Sequence, residues 1–260
     1  MSGYDALHRR VFSSTNILDL GQHRRQDEAR RLRDLLARFV IPFLSADRRM
    51  PDDEQIARQL HCSRNTARLA MQMLADEHLI ERMAGVGTYA HTEPSVWRSD
   101  RLVDPFLVLS SAEKRGSRVI GWRVGPDIPD PMRAEVPATT DRLAIFEKVL
   151  FYDGRPGSLR TYYMPLRPDD EFTVQDAAHD IFEILEDRFG QGKLRAERRI
   201  TALAADQSAA QLLEAAVGDP LLFIETVVRN ASGAVVLSYY GRQRTDVVQV
   251  SLEPERLVDD

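Results

Sequence analysis

Arg64, Asn65 and Arg68 lie in the run CSRNTARLAMQML, residues 62–74, at spacings of one and four. On a helix those spacings put the three side chains on one face, and Gln72 extends it by a turn. Ala67, Ala70, Met71 and Leu74 take the opposite, apolar face. Two guanidiniums and two amides gathered this way have a definite use. Arginine can grip O6 and N7 of guanine, and asparagine N6 and N7 of adenine, each good pair giving about 1–3 kcal/mol of base discrimination. Ser63 and Thr66 add hydroxyls, and the free amides of a helix start favour phosphate.

The surrounding sequence supplies elements to hold that helix. Leu32, Leu35, Leu36, Phe39, Val40, Phe43 and Leu44 recur every three or four residues, which predicts an amphipathic helix ended or kinked by Pro42. A second helix is expected after Pro51, capped by Asp52 or Asp53, with Ile56, Ala57 and Leu60 buried. After a break at His61 and Cys62, Ser63 caps the third helix. LIERMAGVGTYAH then reads as two short strands around a loop holding Gly85 and Gly87. Two helices joined by a tight turn and followed by a hairpin are the winged helix-turn-helix order. In such a module the second helix of the pair enters the major groove.

Composition sets the outer bounds. A chain of 260 residues, 43% hydrophobic and 29% charged, has room for two globular domains. Its most apolar run, LLARFVIPFL, is short and broken by Arg38 and Pro42, so no membrane span is expected. The first twenty residues lack the order of a signal peptide, and the single cysteine, Cys62, has no partner within the chain. The expected location is cytoplasmic. Net charge is −5, but residues 22–91 hold 12 basic and 10 acidic residues, a balance of +2, leaving −7 for the rest. A slightly basic module joined to an acidic one leaves local arginines to make the contacts with phosphate.

Residues 92–103 are polar, contain Pro94 and lack periodicity, so they read as a linker between a domain at 22–91 and one at 104–256. In the second half, RLAIFEKVLFYDGRPGSLRTYYMP predicts two strands turning at Asp153-Gly154. DIFEILEDRFG predicts a helix ending at Gly190, AERRITALAA a strand, and SAAQLLEAAVG a helix ending at Gly218. A last hairpin turns through Asn230 to Gly233. The expected class is α+β, built on an antiparallel sheet.

The first half resembles the DNA-binding domain of the GntR family of bacterial transcription regulators. Ser63, Arg64, Thr66, Arg68, Ala70, Leu74, Leu79, Ile80, Arg82, Gly85, Gly87 and Thr88 hold that family's places over some forty positions. The resemblance implies DNA contacts by Ser63, Arg64, Asn65, Thr66 and Arg68, with a wing of Gly85, Gly87 and Thr88 approaching the minor groove. Two departures stand out: the family's first-turn arginine is Glu54 here, in the acidic run Asp52-Asp53-Glu54, and its glycine ahead of the Leu-Pro is missing, with Arg48 and Arg49 in that region to compensate for Glu54. The second half resembles the UTRA effector domain of the HutC subfamily, with a fold like that of chorismate lyase. Its most specific pieces are Asp153 to Pro165, Gly218 to Leu222 and the final hairpin. This implies a homodimer on double-stranded palindromic operator DNA, acting as a repressor whose grip is altered by a small-molecule effector. No cofactor or metal is implied.

Phosphosugar-binding members carry Arg-Leu-Arg before the Asp-Gly turn, where this chain has Lys148 and Leu150. A glutamate of their next strand falls near Arg160, and a serine and tyrosine of the following helix near Asp180 and Phe182. Strand alternation groups Lys148 with Leu150 and Arg160 with Tyr162. An apolar pocket with Lys148, Arg160, Tyr162, Asp180 and Phe182 suits a carboxylate or phosphonate with a hydrophobic part. The alternative for the two cations is pairing with surface acids.

Other chemistry finds little footing. The six histidines lack metal-binding spacing, GVGTY lacks the context of a dinucleotide loop, and the runs ERRIT and LRDLLARF read as ordinary charged faces. Cys62 reads as a small buried hydrophobe. An enzyme is the alternative that the lyase-like fold raises, without a nucleophile–base pair or paired carboxylates to carry it. A ligand-binding protein that no longer needs DNA is a third reading, raised by the acids at 52–54.

Overall fold

The computed structural model describes residues 25–41, 44, 47–91, 115–126, 128, 136–190 and 194–248. The expectations for residues 1–21, Phe43 and the linker at 92–103 lie outside these, as does any statement on the side chains of Phe39 and Phe182.

Helix α1, Arg25–Leu35, continues as a π-helical turn over Leu36–Val40, and Pro42 follows it. Helix α2, Asp53–Gln59, starts at Asp52, whose carboxylate accepts from the amides of Glu54 and Gln55 while the Gln55 side chain accepts from the Asp52 amide. Helix α3, Arg64–Asp76, is capped by Ser63. Strands β1, Ile80–Met83, and β2, Gly87–Ala90, form the expected antiparallel wing, and Arg49 bridges to Tyr89 as an added rung.

The second half is an antiparallel sheet of six strands: β3 (Arg115–Gly125), β4 (Arg142–Tyr152), β5 (Arg155–Leu166), β6 (Arg195–Ala204), β7 (Pro220–Arg229) and β8 (Val235–Arg244). Their spatial order is β3-β4-β5-β8-β7-β6. The β4–β5 hairpin turns at Asp153 and Gly154, both at positive φ (50° and 79°), as a tight Asp-Gly turn requires. Helices α4 (Val174–Ala178) and α5 (Ile181–Phe189) follow β5, and α6 (Gln207–Leu213) links β6 to β7. Strand β3 and helix α4 were not anticipated from the sequence. Helix α6 ends five residues before Gly218, because Glu214 adopts the left-handed conformation and closes it. Gly218 belongs to the turn that follows.

Each face of the sheet has its own cover. Phe146, Tyr162, Met164 and Tyr239 pack with Phe172, Ala177, Ile181 and Leu185 from the α4–α5 side. On the reverse, Val149, Leu159 and Leu221 meet Ala209, Ala210 and Leu213 of α6. Beside α6 on that reverse face, Leu143, Ile145, Tyr163, Phe223 and Tyr240 join one apolar cluster with Leu32, Leu35 and Leu36 of α1 and with the core of the winged module. Helix α1 is therefore shared: one side packs on α3, the other on the sheet.

Gly157 makes a bulge possible where β5 slips against β4 between Leu150 and Phe151. A Cβ there would lie 2.6 Å from Tyr152 Cδ2 and 2.7 Å from Val247 Cγ1. Gly157→Ala is expected to destabilise the chain by about 1–3 kcal/mol, whereas Gly116→Ala, with open space at its Cβ, leaves stability within about 0.5 kcal/mol. Denaturant unfolding of the two variants measures the contrast.

Candidate DNA interface and effector site

Ser63 Oγ accepts from the Thr66 amide at 3.0 Å and starts α3 cleanly. Arg64, Asn65 and Arg68 are exposed together along that helix, while Ala67, Ala70, Met71 and Leu74 are buried. Thr66 corrects the expectation. Its side chain is buried beneath the helix, with Oγ1 2.8 Å from Ser63 Oγ and 3.4 Å from Glu28 Oε2 of α1, so its hydroxyl seats the helix and does not face solvent. Gln72 is exposed and donates to Asp76 at 2.8 Å.

The acidic run has local tasks. Asp52 caps α2, Asp53 Oδ1 receives Arg82 Nη2 of the wing at 3.2 Å, and Glu54 pairs with Arg58 one turn on at 2.9 Å. Arg82 also reaches the Arg68 carbonyl at 3.5 Å, tying β1 to the recognition helix. These bonds remove the motive for a module that no longer binds DNA. At the wing, Gly85 and Gly87 hold positive φ, 73° and 148°. Arg49 lies against Gly87 and donates to the Val86 carbonyl at 3.5 Å. It is exposed, and so adds a cation to the wing. Thr88 is half-buried within β2, its carbonyl accepting from the Met50 amide. Burial, with the Glu28 carboxylate nearby, pushes the Cys62 thiol up to about 11, which leaves it a packing residue.

The second site lies on the α4–α5 face of the sheet. Lys148 and Arg160 are register partners on β4 and β5, both buried, at 2% and 5% exposure. Lys148 Nζ donates to the His179 carbonyl at 2.6 Å and lies 5.7 Å from the ring centroids of both Phe146 and Tyr162. The Arg160 guanidinium lies over Tyr239 at 5.6 Å. Burial, opposed by Asp180 and reinforced by Arg160, brings the Lys148 ammonium down to about 8. Asp180 is exposed at the start of α5, close enough for its charge to act on Lys148. Lys148, Arg160, Tyr162 and Asp180 thus come together as the sequence proposed, and the Phe182 side chain lies outside the described residues.

Alternation had not pointed to two further residues here. Ser158 and Gln243 face each other across β5 and β8, one pair along from Arg160 and Gly241. Both are buried, yet Ser158 Oγ, Gln243 Oε1 and Arg160 Nε have no hydrogen-bond partner among the described residues. Buried polar atoms are normally satisfied, and three unsatisfied ones side by side mark a place where a bound molecule can complete the bonding. Gly241 lies against two of these residues: a Cβ there would meet Arg160 Cγ at 3.5 Å and Gln243 Nε2 at 3.7 Å. A glutamine two residues past a glycine on the same strand face was the available signal.

A winged helix-turn-helix with an open arginine and asparagine face, joined through α1 to a sheet holding buried cations, is the build of a ligand-responsive DNA-binding protein. Comparison with known families makes this specific. Residues 29–90 match the bacterial regulatory proteins of the gntR family, and residues 125–249 match the UTRA domain. The chain joins a gntR-family DNA-binding module to a UTRA domain, and it is an effector-controlled transcription regulator. The fold is similar to that of a possible transcriptional regulator, YydK from Bacillus subtilis, at 15% identity, covering 87% of this chain and 99% of that one, TM-score 0.49. PhnF from Mycobacterium smegmatis is similar at 18% identity, 86% and 99% coverage and TM-score 0.49. A GntR-family transcriptional regulator from Enterococcus faecalis V583 covers 53% of this chain and 99% of its own at 18% identity, TM-score 0.46. No helix among the described residues is long and apolar enough to cross a membrane, and no group of histidine, cysteine and carboxylate side chains there could hold a metal.

The chain has three lysines, Lys114, Lys148 and Lys193. In a titration followed by lysine side-chain NMR, Lys148 is expected to lose its proton near 8, with removal of its signal in Lys148→Met giving the assignment. Binding of an anion should move this titration upward, and anion affinity should fall as pH rises through about 8.

Proposed function

We propose that this chain acts in the cytoplasm as a homodimeric repressor of the HutC type. In this reading Ser63, Arg64, Asn65, Arg68 and the wing read a palindromic operator, and an anionic effector with a hydrophobic part binds over Lys148 and Arg160. The observation that carries the effector half is the buried pair of cations beneath aromatic rings, beside the unsatisfied Ser158 Oγ, Gln243 Oε1 and Arg160 Nε. A carboxylate or phosphonate would take the two cations. A donor group on the same molecule would answer Gln243 Oε1, which can only accept. The rings of Phe146 and Tyr162, stacked with centroids 4.8 Å apart, and of Tyr239, tilted against Tyr162 at 5.3 Å, offer an apolar wall to the rest. Catalysis has no support beyond fold likeness, and binding alone accounts for these groups.

For the DNA half, the test is equilibrium binding of the full chain to the duplex upstream of its own gene and to a scrambled duplex, at several salt concentrations. Arg64→Ala and Arg68→Ala should each weaken specific binding by roughly 5- to 150-fold and flatten the preference for the upstream duplex. Equal weak binding to both duplexes would contradict the proposal. Two half-sites about 34 Å apart, or a multiple of that, are expected for a dimer.

For the effector half, thermal unfolding is measured against phosphosugars, phosphonates, amino acids and aromatic or aliphatic carboxylates. A ligand at a hundredfold excess over its Kd should add about 2.7 kcal/mol of stability. The shift should come from a carboxylate or phosphonate and disappear in Lys148→Ala and Arg160→Ala. A phosphosugar shift that survives both substitutions would place the anion elsewhere.

A further inference from the structure

Between α1 and the sheet lies a layer of buried charge that DNA contact does not use and the effector cannot touch. Glu147 Oε1 lies 2.8 Å from Arg30 Nη1, and its Oε2 lies 3.2 Å from Arg31 Nη1. Thr161 Oγ1 donates to Glu147 at 2.6 Å. Asp34 receives Arg242 through both terminal nitrogens, each at 2.8 Å. All four of these charged α1 and sheet residues, Arg30, Asp34, Glu147 and Arg242, are no more than 2% exposed. From Asp34 the chain of charge continues. Arg33 Nη1 lies 3.1 Å from Asp34 Oδ1, and Arg33 Nε donates to the carboxylate of Glu77 at 2.8 and 3.0 Å. Glu77 is the C-cap of the recognition helix α3. Arg242 on β8 is thereby joined to the end of the DNA-reading helix through three consecutive ion pairs.

The placement of these residues in the strands is the second observation. Glu147 adjoins Lys148 on β4, Thr161 adjoins Arg160 on β5, and Arg242 lies between Gly241 and Gln243 on β8. Successive side chains of a strand point to opposite faces. Glu147 and Arg242, which bind α1, and Thr161, which bonds to Glu147, are therefore each backed, one position away, by a residue of the candidate effector site. An interface that needed only adhesion would do as well with apolar contacts, since buried ion pairs gain little over them. What paired charges add is sharp dependence on position.

We propose that Glu147 and Arg242 are positioning residues, through which occupation of the site at Lys148 and Arg160 shifts α1 and with it the recognition helix. The proposal rests on that effector reading. An anion drawn to Lys148 and Arg160 displaces β4 and β5 locally, and the Glu147 side chain, with Thr161 bonded to it, moves against Arg30 and Arg31. Short ion pairs either hold or break under such displacement, which turns a small strand movement into a change in how α1 docks.

Native-state hydrogen exchange on the full chain, with and without 20 mM phenylphosphonate, tests this. In the unsubstituted protein the ligand should change protection of β4–β5 and also of α1, by roughly fivefold or more. In Glu147→Gln, and in Asp34→Leu/Arg242→Met, which removes both charges of that pair while Glu77 still holds Arg33, β4–β5 should still respond while the α1 response disappears. A purely structural role would lower α1 protection without abolishing its response to the ligand. An α1 response that persists in both variants, or that is missing from the unsubstituted protein while β4–β5 responds, overturns the proposal. No response anywhere, with no thermal shift, refutes the effector reading itself and the proposal with it.

Discussion

Helix α1 carries Arg30, Arg31, Arg33 and Asp34 into the interior of the protein, and each must meet opposite charge there. Removing an ion from water carries an effective penalty of several kcal/mol, and leaving one partner of a buried pair alone typically destabilises by about 3–5 kcal/mol. Burial by itself would push Asp34 and Glu147 toward protonation, but the facing arginines hold both carboxyls below their usual range, Glu147 at about 2. Arg33 and Arg242 also lie over the Phe223 ring, at 4.9 and 5.0 Å from its centroid. Together these demands leave α1 one register on the sheet. The winged module inherits its orientation from that register, because α1 packs on α3 from the other side.

The sheet serves two purposes because side chains alternate along a strand. One face gathers aromatic rings and buried cations under α4 and α5, and the other receives α6 and α1. Neither face is optional. Phe146 and Tyr162 stack 12° from parallel, filling the space beside Lys148, while Ile145 and Tyr163, their neighbours in sequence, belong to the cluster that holds α1. A substitution on one face therefore acts within a strand's thickness of the other.

Much of this was legible in the sequence. The recognition helix declared itself by Ser63, by the apolar residues at 67, 70, 71 and 74 and by the arginines opposite them, because local capping and period determine a short exposed helix. The Asp153-Gly154 turn was equally plain, since few residue pairs accept two successive positive φ values. The run LRDLLARF was not. Read as an ordinary charged face, it places Arg33 and Asp34 in the core, because their partners, Glu77 and Arg242, are 44 and 208 residues away and no local pattern reveals them. Thr66 failed for a related reason: helical spacing puts it near the exposed face, but Glu28 on α1 draws its hydroxyl inward. The end of α6 was misplaced because a left-handed glutamate, Glu214, did what a glycine usually does. Gln243 and Ser158 stayed hidden because unsatisfied hydrogen bonding appears only once the strands are paired.

Control of DNA binding by a ligand is the account's central claim, and thermodynamic linkage makes it measurable from the ligand's side. If the effector changes operator affinity, the operator must change effector affinity by the same factor. We would measure the Kd of the effector identified by thermal shift for the free protein, for protein saturated with operator duplex and for protein saturated with scrambled duplex. The account predicts a change of roughly 5- to 150-fold with the operator and none with the scrambled duplex. An effector Kd that is the same in all three, with DNA binding intact, would contradict it.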